Sequence, residues 1–297
     1  MSERRQRATI AAAVVAICLL AGAFPTAQRS LRERHLTVTV LDANDSPVTG
    51  LGRSDFVVRE DGVAREIIRV DPAPLPSHIA LVIDTSDTTN DLVVDLRRSL
   101  DRFVLEFAAL PTPPSLGLTT TGERPTAVVP MTTRFAAVDA AVARLAPQRG
   151  SGSYFLDGLV ETVDRLKPAA ASRAVIVAFV DERGPEFSTA DHRRVEDVLH
   201  RAHVGLWTVA LQGNASGDSE TRERSMVLGD VALATGGFNK PVLSKEGLEK
   251  ALGAVGSALV SGYDVVYGRP DTLIPASALT VTTTAPKSRA LAPKWAD

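Results

Sequence analysis

Hydrophobic and polar positions change rhythm three times along the 297 residues of this chain. Residues 8–24, "ATIAAAVVAICLLAGAF", form one nearly unbroken apolar run. Residues 35–71 instead alternate with period two, in "HLTVTVLD", "DFVVRED" and "REIIRV". That alternation predicts strands with one buried face. A turn-forming "ANDSPVTG" and the pair Asp61-Gly62 separate them. The stretch is too short to bury a core of its own. It is expected to pack on another part of the chain, and the C-terminal "ALTVTTTAP" is the candidate strand. The proline-rich "DPAPLPS" (71–77) reads as a linker.

From residue 78 to about 262 strands and helices alternate. "IALVID" (79–84) and "AVIVAFVD" (174–181) are continuous apolar runs, as in strands covered on both faces. Leu92, Leu96, Leu100, Phe103 and Phe107 recur at spacings of three and four, the period of a helix with one apolar face. "LGLTTT" and "TAVVPM" read as short strands and "VGLWTVAL" as a buried one, where Trp207 is expected in the core. Further helices are predicted over 135–145, along Leu156, Leu159, Val163 and Leu166, and along Val195, Val198, Leu199 and Ala202. A short helix is predicted over 228–234, and another along Leu248, Leu252, Val255 and Leu259. Strands alternating with helices predict an α/β fold: a doubly wound, mostly parallel sheet with a small N-terminal β module. The expected layout is a signal peptide (1–27), a β-strand module packing with the C-terminal strand (35–71), an α/β domain (78–262), and a C-terminal strand extension and tail (263–297).

Composition narrows the function. A formal net charge of -2 gives no basic excess to neutralise phosphates, which argues against nucleic-acid binding. Arg4, Arg5 and Arg7, the apolar run and the small residues near Ala21 to Ala27 make a secretory signal peptide. A membrane is expected to enter only through that segment if it stays uncleaved. The single cysteine, Cys18, lies inside it, so the mature chain has no disulfide, thiolate nucleophile or Cys-ligated metal. An exported chain without disulfides fits a bacterial envelope, surface or secreted product.

In an open α/β sheet, ligands bind beyond the carboxyl ends of the strands. Asp84 and Asp181 end the two apolar runs there, Ser86 and Thr88 follow Asp84, and Ser153 precedes a helix. Carboxylates and hydroxyls are hard oxygen donors that suit Mg²⁺, with Mn²⁺ and Ca²⁺ as alternatives. Each position also has a plainer reading. Ser86, Thr88 or Thr89 would N-cap the next helix, Ser153 would cap the helix at 155–166, and Asp157 would complement its dipole.

"DTSDT", "SGSYFLDGL" and "VIVAFVDERG" resemble, in order, the three loops of the metal-ion-dependent adhesion site of von Willebrand factor type A (VWFA) domains. With the upstream "VTVLDANDSPVTGLGRSDFVVREDGVAREI", "LATGG" and "SGYDVVYGRP", the chain resembles the VWFA-related group described from Acidobacteria. The resemblance implies that Asp84, Ser86, Thr88, Ser153 and Asp181 hold the metal, directly or through water, and that a partner's acidic side chain completes the shell. Thr88 stands where the family has Ser, and Ser153 where it has Thr, so the oxygen donors are kept. Asp87 and Glu182 add negative charge where the family more often has Gly, which attracts a cation and repels an acidic partner.

Other motifs are weaker. His192, His200 and His203 share a helix but include no His-Glu-x-x-His, so they read as a solvated face. No nucleophile elbow, phosphate loop or dinucleotide fingerprint occurs. The polar stretch 211–225 reads as a loop and is expected to border the metal face. The function expected is therefore an exported, metal-dependent, protein-binding role of adhesion type, without catalysis. A scaffolding domain with an unfilled site is one alternative, and a metal-assisted hydrolase is another.

Overall fold

The computed structural model describes residues 31–166, 173–213, 219–270, 274 and 276–295. The signal-peptide segment lies outside the described residues. Among them, no helix is long and apolar enough to cross a membrane.

Thirteen strands are described. They are β1 (Leu31–Asp42), β2 (Phe56–Glu60), β3 (Val63–Arg65), β4 (Ile67–Pro72), β5 (His78–Ile83), β6 (Ser115–Thr120), β7 (Thr126–Thr132), β8 (Ala174–Asp181), β9 (Val204–Leu211), β10 (Asn239–Val242), β11 (Tyr263–Pro270), β12 (Leu279–Thr283) and β13 (Ser288–Leu291). The helices are α1 (Val93–Ala108), α2 (Phe135–Val142), α3 (Phe155–Leu166), α4 (His192–Ala202), α5 (Ser219–Met226) and α6 (Leu248–Val260).

Six strands form the central sheet in the order β10-β9-β8-β5-β6-β7. All neighbours are parallel except the edge pair β6–β7. The two central strands read as unbroken apolar runs because both of their faces are covered. Ile79, Leu81 and Ile83 of β5 pack into a core with Leu96, Leu100 and Phe103 of α1, Val138 of α2 and Leu252 of α6. The alternate residues Ala80 and Val82 pack with Leu159 of α3 and Val195 of α4. The helix predicted over 228–234 is the end of a longer helical stretch. α5 continues through a π-helical turn, Val227–Val231, into Ala232–Ala234. Residues 219–225, expected to belong to a polar loop, are therefore helical: α5 is polar on most positions and buries only Thr221 and Arg224, which leaves no apolar stripe to read.

The chain leaves β5 toward β6 on one side and returns to β8 on the other. The strand order therefore reverses between β5 and β8, and the crevice at their carboxyl ends is where such sheets bind ligands.

The remaining strands build two further sheets, ordered β13-β1-β11-β4 and β12-β2-β3. β1 begins at Leu31, earlier than the alternation at residue 35, and its first half pairs with β11 from Leu31↔Pro270 to Val38↔Tyr263. The "ALTVTTTAP" stretch contributes β12, which pairs with β2. The two sheets enclose Leu36, Val38, Val40, Phe56, Val58, Tyr263, Val265, Tyr267 and Leu279 as a core of their own. Leu41 and Leu291 join the core under the central sheet instead. Inside this sandwich the buried Glu60 accepts hydrogen bonds from Tyr267 Oη and Arg65 Nε, both at 2.9 Å. Arg269 stands 3.4 Å from the same carboxylate.

Candidate metal centre

Asp84 directly follows β5. Its backbone N–H donates to Phe179 O of β8, which locks the loop base to the sheet. Its side chain is fully buried. Oδ1 accepts from Ser86 N at 2.8 Å, and Oδ2 accepts from Asp181 N at 3.1 Å, so one carboxylate ties both loops together. Burial pushes the Asp84 carboxyl above the usual carboxylate range, and the two backbone N–H donors pull it back. Among the described residues, no Lys or Arg forms an ion pair with it. A buried carboxylate without a cationic partner is costly unless a cation is supplied.

Ser86 is fully buried and Thr88 is half-buried. Their hydroxyls lie 3.2 Å apart. Ser86 precedes the short 3₁₀ turn Asp87–Asp91, yet its side chain caps no backbone N–H. Thr89 is occupied otherwise, because its hydroxyl donates to Ser86 O at 2.7 Å. Asp87 is exposed.

Ser153 departs from the capping role that its position suggests. The first N–H groups of α3 are satisfied from the loop after β8. Phe155 N donates to Glu186 Oε1 at 3.0 Å, and Asp157 N donates to Ser188 Oγ at 3.0 Å. The Asp157 carboxylate itself holds that loop, accepting from Thr189 N and Ala190 N. Ser153 is tied by its backbone, through Ser153 N to Pro185 O and Phe187 N to Ser153 O. Its hydroxyl oxygen is buried and has no hydrogen-bond partner.

Asp181 ends β8 beside Asp84 and is fully buried. Arg183, two residues on, covers its carboxylate. Arg183 Nε reaches both oxygens, at 2.9 and 3.1 Å, and Nη2 reaches Oδ2 at 2.7 Å. The same guanidinium donates to Asp91 and to Thr88 O. Asp91 is held below the usual carboxylate range by this contact. Gly184 comes so close to the first loop that a Cβ there would stand 2.9 Å from Thr88 Oγ1 and 3.6 Å from Ser86 Oγ.

A second layer supports the third loop. Arg224 of α5 is fully buried and donates to Gly184 O and Glu182 O, both at 3.1 Å. It also stands 3.8 Å from the buried Glu186. Burial outweighs this guanidinium and pushes the Glu186 carboxyl up to about 7. Gly213, in the polar stretch after β9, packs on the backbone of Arg183, where a Cβ would clash.

The structure thus brings Asp84, Ser86, Thr88 and Asp181 together at the carboxyl ends of β5 and β8, and ties Ser153 by its backbone to the loop after β8. Arg183, Gly184, Glu186 and Arg224 were not singled out from the sequence. The signal was present in "DERGPE", where a basic residue and a glycine follow the second strand-end Asp. The three histidines diverge. His192 pairs with Glu223, His200 stacks on Trp295, and His203 ends α4 with a φ of 51°. Among the described residues, no group of three or more His, Cys, Asp or Glu is arranged to hold a metal. The donor set at the crevice is instead two carboxylates and three hydroxyls. It fits a hard divalent cation in one testable respect: Ser153 Oγ is a buried donor oxygen that the protein leaves unused.

No family model matches the sequence, and no curated protein matches it. Among solved structures, proximal thread matrix protein 1 from the mussel byssus, with a zinc-occupied MIDAS motif, is similar over 68% of this chain, with a TM-score of 0.54 at 15% identity. The match spans 49% of that protein's length. The vWF domain of the type V pili tip protein Mfa5 from Porphyromonas gingivalis matches 63% of this chain and 96% of its own, with a TM-score of 0.48 at 12% identity. The SpRpn10 VWA domain matches 60% and 94%, with a TM-score of 0.46 at 16% identity. At these identities the likeness is one of fold. The central sheet and its helices have the fold of a von Willebrand factor type A domain.

Proposed function

We propose that this protein is an exported binding protein that takes a divalent cation on Asp84, Ser86, Thr88, Ser153 and Asp181, and engages a protein or other acidic surface ligand there. Mg²⁺ is the first candidate, with Mn²⁺ and Ca²⁺ behind it. The observation that carries the reading is Ser153. Its capping role is filled by Glu186 and Ser188, yet its buried hydroxyl stays unpaired. A fully buried carboxylate at Asp84 without an ion pair points the same way. The bound cation would supply a positive centre to which a partner's carboxylate could attach.

The surroundings suit a macromolecular partner. Phe187, joined to Ser153 through the backbone, is 50% exposed, and Leu243, just past the carboxyl end of β10, is 86% exposed. Exposed aromatic side chains such as Phe187 are enriched in protein interfaces relative to the rest of the surface. Export rests on the N-terminal sequence alone. The β sandwich would brace the α/β unit and present it. A binding role is favoured over catalysis, because the Ser86 and Thr88 hydroxyls face each other rather than a histidine base.

A second reading, a scaffold whose site stays unfilled, is favoured by one observation: Arg183 already neutralises Asp181. Thermal melting separates the two. The wild type and Asp84→Asn are melted in EDTA and in Mg²⁺, Mn²⁺, Ca²⁺ and Zn²⁺. The mussel protein's zinc-filled motif motivates the last arm. A metal-dependent rise that disappears in the variant is expected, since a ligand bound only to the folded state stabilises it. No rise in any metal would leave the scaffold reading standing.

A further inference from the structure

We infer that Arg183 is a built-in competitor for the cation, a tethered positive charge that closes the site and must leave Asp181 before a metal can use that carboxylate. The inference rests on the metal reading above. Four donated contacts cover Asp181: the Arg183 backbone N–H at 3.0 Å, Nε on both oxygens, and Nη2. The guanidinium then crosses to the first loop, donating to Thr88 O at 2.8 Å and to Asp91 at 2.8 and 3.0 Å. It therefore links the two loops that supply four of the five proposed ligands. Forked, charge-assisted pairing of this kind is among the stronger side-chain interactions in proteins.

The competition has two physical parts. Oxygen lone pairs facing Arg183 are not offered to a metal, and a positive charge tethered beside the site repels an arriving dication. The backbone under Arg183 is held in place. Arg224 grips Glu182 O and Gly184 O from the interior, and Gly213 packs against the Arg183 backbone. The side chain is the part free to move. It is 35% exposed, and Asp91, at 61%, offers it an anchor outside the crevice. Two states follow. In one, Arg183 bridges Asp181 and Asp91. In the other, a cation holds Asp181 and Arg183 stays on Asp91. In the second state Arg183 offsets the charge of Asp87 and Glu182, which otherwise repel an acidic partner.

The guanidinium both occupies the lone pairs of the Asp181 carboxylate and repels an arriving dication. Its removal should change the affinity for a dication by about tenfold or more. The test is calorimetric titration of Mn²⁺ into the full chain as wild type, Arg183→Gln and Arg183→Lys, with Asp84→Asn as the control without a site. Arg183→Gln is expected to bind Mn²⁺ at least about tenfold more tightly than wild type. Arg183→Lys keeps the charge but cannot span both loops, so a smaller tightening is expected. It carries the test if the Gln variant does not fold. Binding by Arg183→Gln with no detectable binding by wild type would support the inference in its strongest form. Equal or weaker binding by the variants would overturn it while leaving the metal site intact. No binding by any of these proteins would overturn the metal reading, and this inference with it.

Discussion

The Ser153 hydroxyl gives opposite predictions with and without metal. In the metal-free protein it is a buried polar group with no partner. Such a group costs about 1–3 kcal/mol. Ser153→Ala removes the oxygen and leaves only a very small void, so it should stabilise the metal-free fold by about 1 kcal/mol. For domains of 150–250 residues, that is a rise of about 2–4 °C in Tm. With metal the sign reverses. A ligand at a hundred times its Kd stabilises the fold by about 2.7 kcal/mol. If losing one oxygen donor weakens binding about tenfold, the same concentration gives only about 1.4 kcal/mol by the same relation. The difference, about 1.3 kcal/mol, cancels or exceeds what the substitution gained. Melting curves of the two proteins should therefore lie in one order in EDTA and meet or change order in saturating Mg²⁺. A Ser153→Ala protein that is less stable in EDTA would show that the hydroxyl has a structural partner. An unchanged metal-induced shift would show that it is no ligand. Either result refutes the reasoning.

Three further outcomes follow from the buried charges. Glu186 has a folded pKa raised from 4.5 to about 7, so its ionised form is the disfavoured one. The penalty is absent below pH 4.5, grows as pH rises through that window and is complete above 7, at about 3 kcal/mol. In EDTA, Glu186→Gln should flatten the decline in stability between pH 4.5 and 7 seen in urea melts, and an unchanged slope would remove Glu186 as its source. Arg224→Met leaves Glu182 O and Gly184 O without their buried donor and Glu186 without its neighbouring positive charge. It should cost about 3 kcal/mol in urea melts at pH 8 and less at pH 5, where Glu186 is protonated; an equal loss at both would contradict the coupling. Tyr267→Phe deletes the hydroxyl that donates to buried Glu60. It should cost about 1.5–3 kcal/mol by chemical denaturation, and a neutral substitution would show that Arg65 and Arg269 suffice.

The central sheet was legible because burial on both faces writes itself into the sequence as unbroken runs. "IALVI" and "AVIVAFV" are apolar at every position since each side chain meets a helix layer. The spacing of Leu96, Leu100, Phe103 and Phe107 revealed α1 for the matching reason, one buried stripe. The strand-end carboxylates were legible because a buried strand rarely ends in a buried charge without cause. The polar half of the site was not. Arg183 bridges to Asp91, and Arg224 reaches Glu186, across separations with no period. Such pairs leave no local pattern. The capping of α3 was hidden similarly, because its donors are answered by Glu186 and Ser188 from another loop, while the residue in the expected place, Ser153, answers none. The sandwich was visible only as alternating fragments, since pairs such as Leu31↔Pro270 join distant parts of the chain.

The path of the chain through that sandwich has a mechanical consequence. β4 leads into the α/β unit and β11 leads out of it, and the two are paired neighbours, with Tyr263 opposite Pro72. Traction between the segments entering β1 and leaving β13 loads the sandwich strands and the contacts that Pro293, Lys294 and Trp295 make with Thr235, Ala234 and His200. Along the covalent chain, traction between the carboxyl edge of the central sheet and the segment entering β1 crosses β4 beside β11. There it meets a ladder of hydrogen bonds and the apolar core around Val265. The edge where the cation site is proposed is thus joined to the rest of the chain by two adjacent strands held in one sandwich, so that pulling on the chain entering β1 strains that sandwich before it can unravel the central sheet from an end.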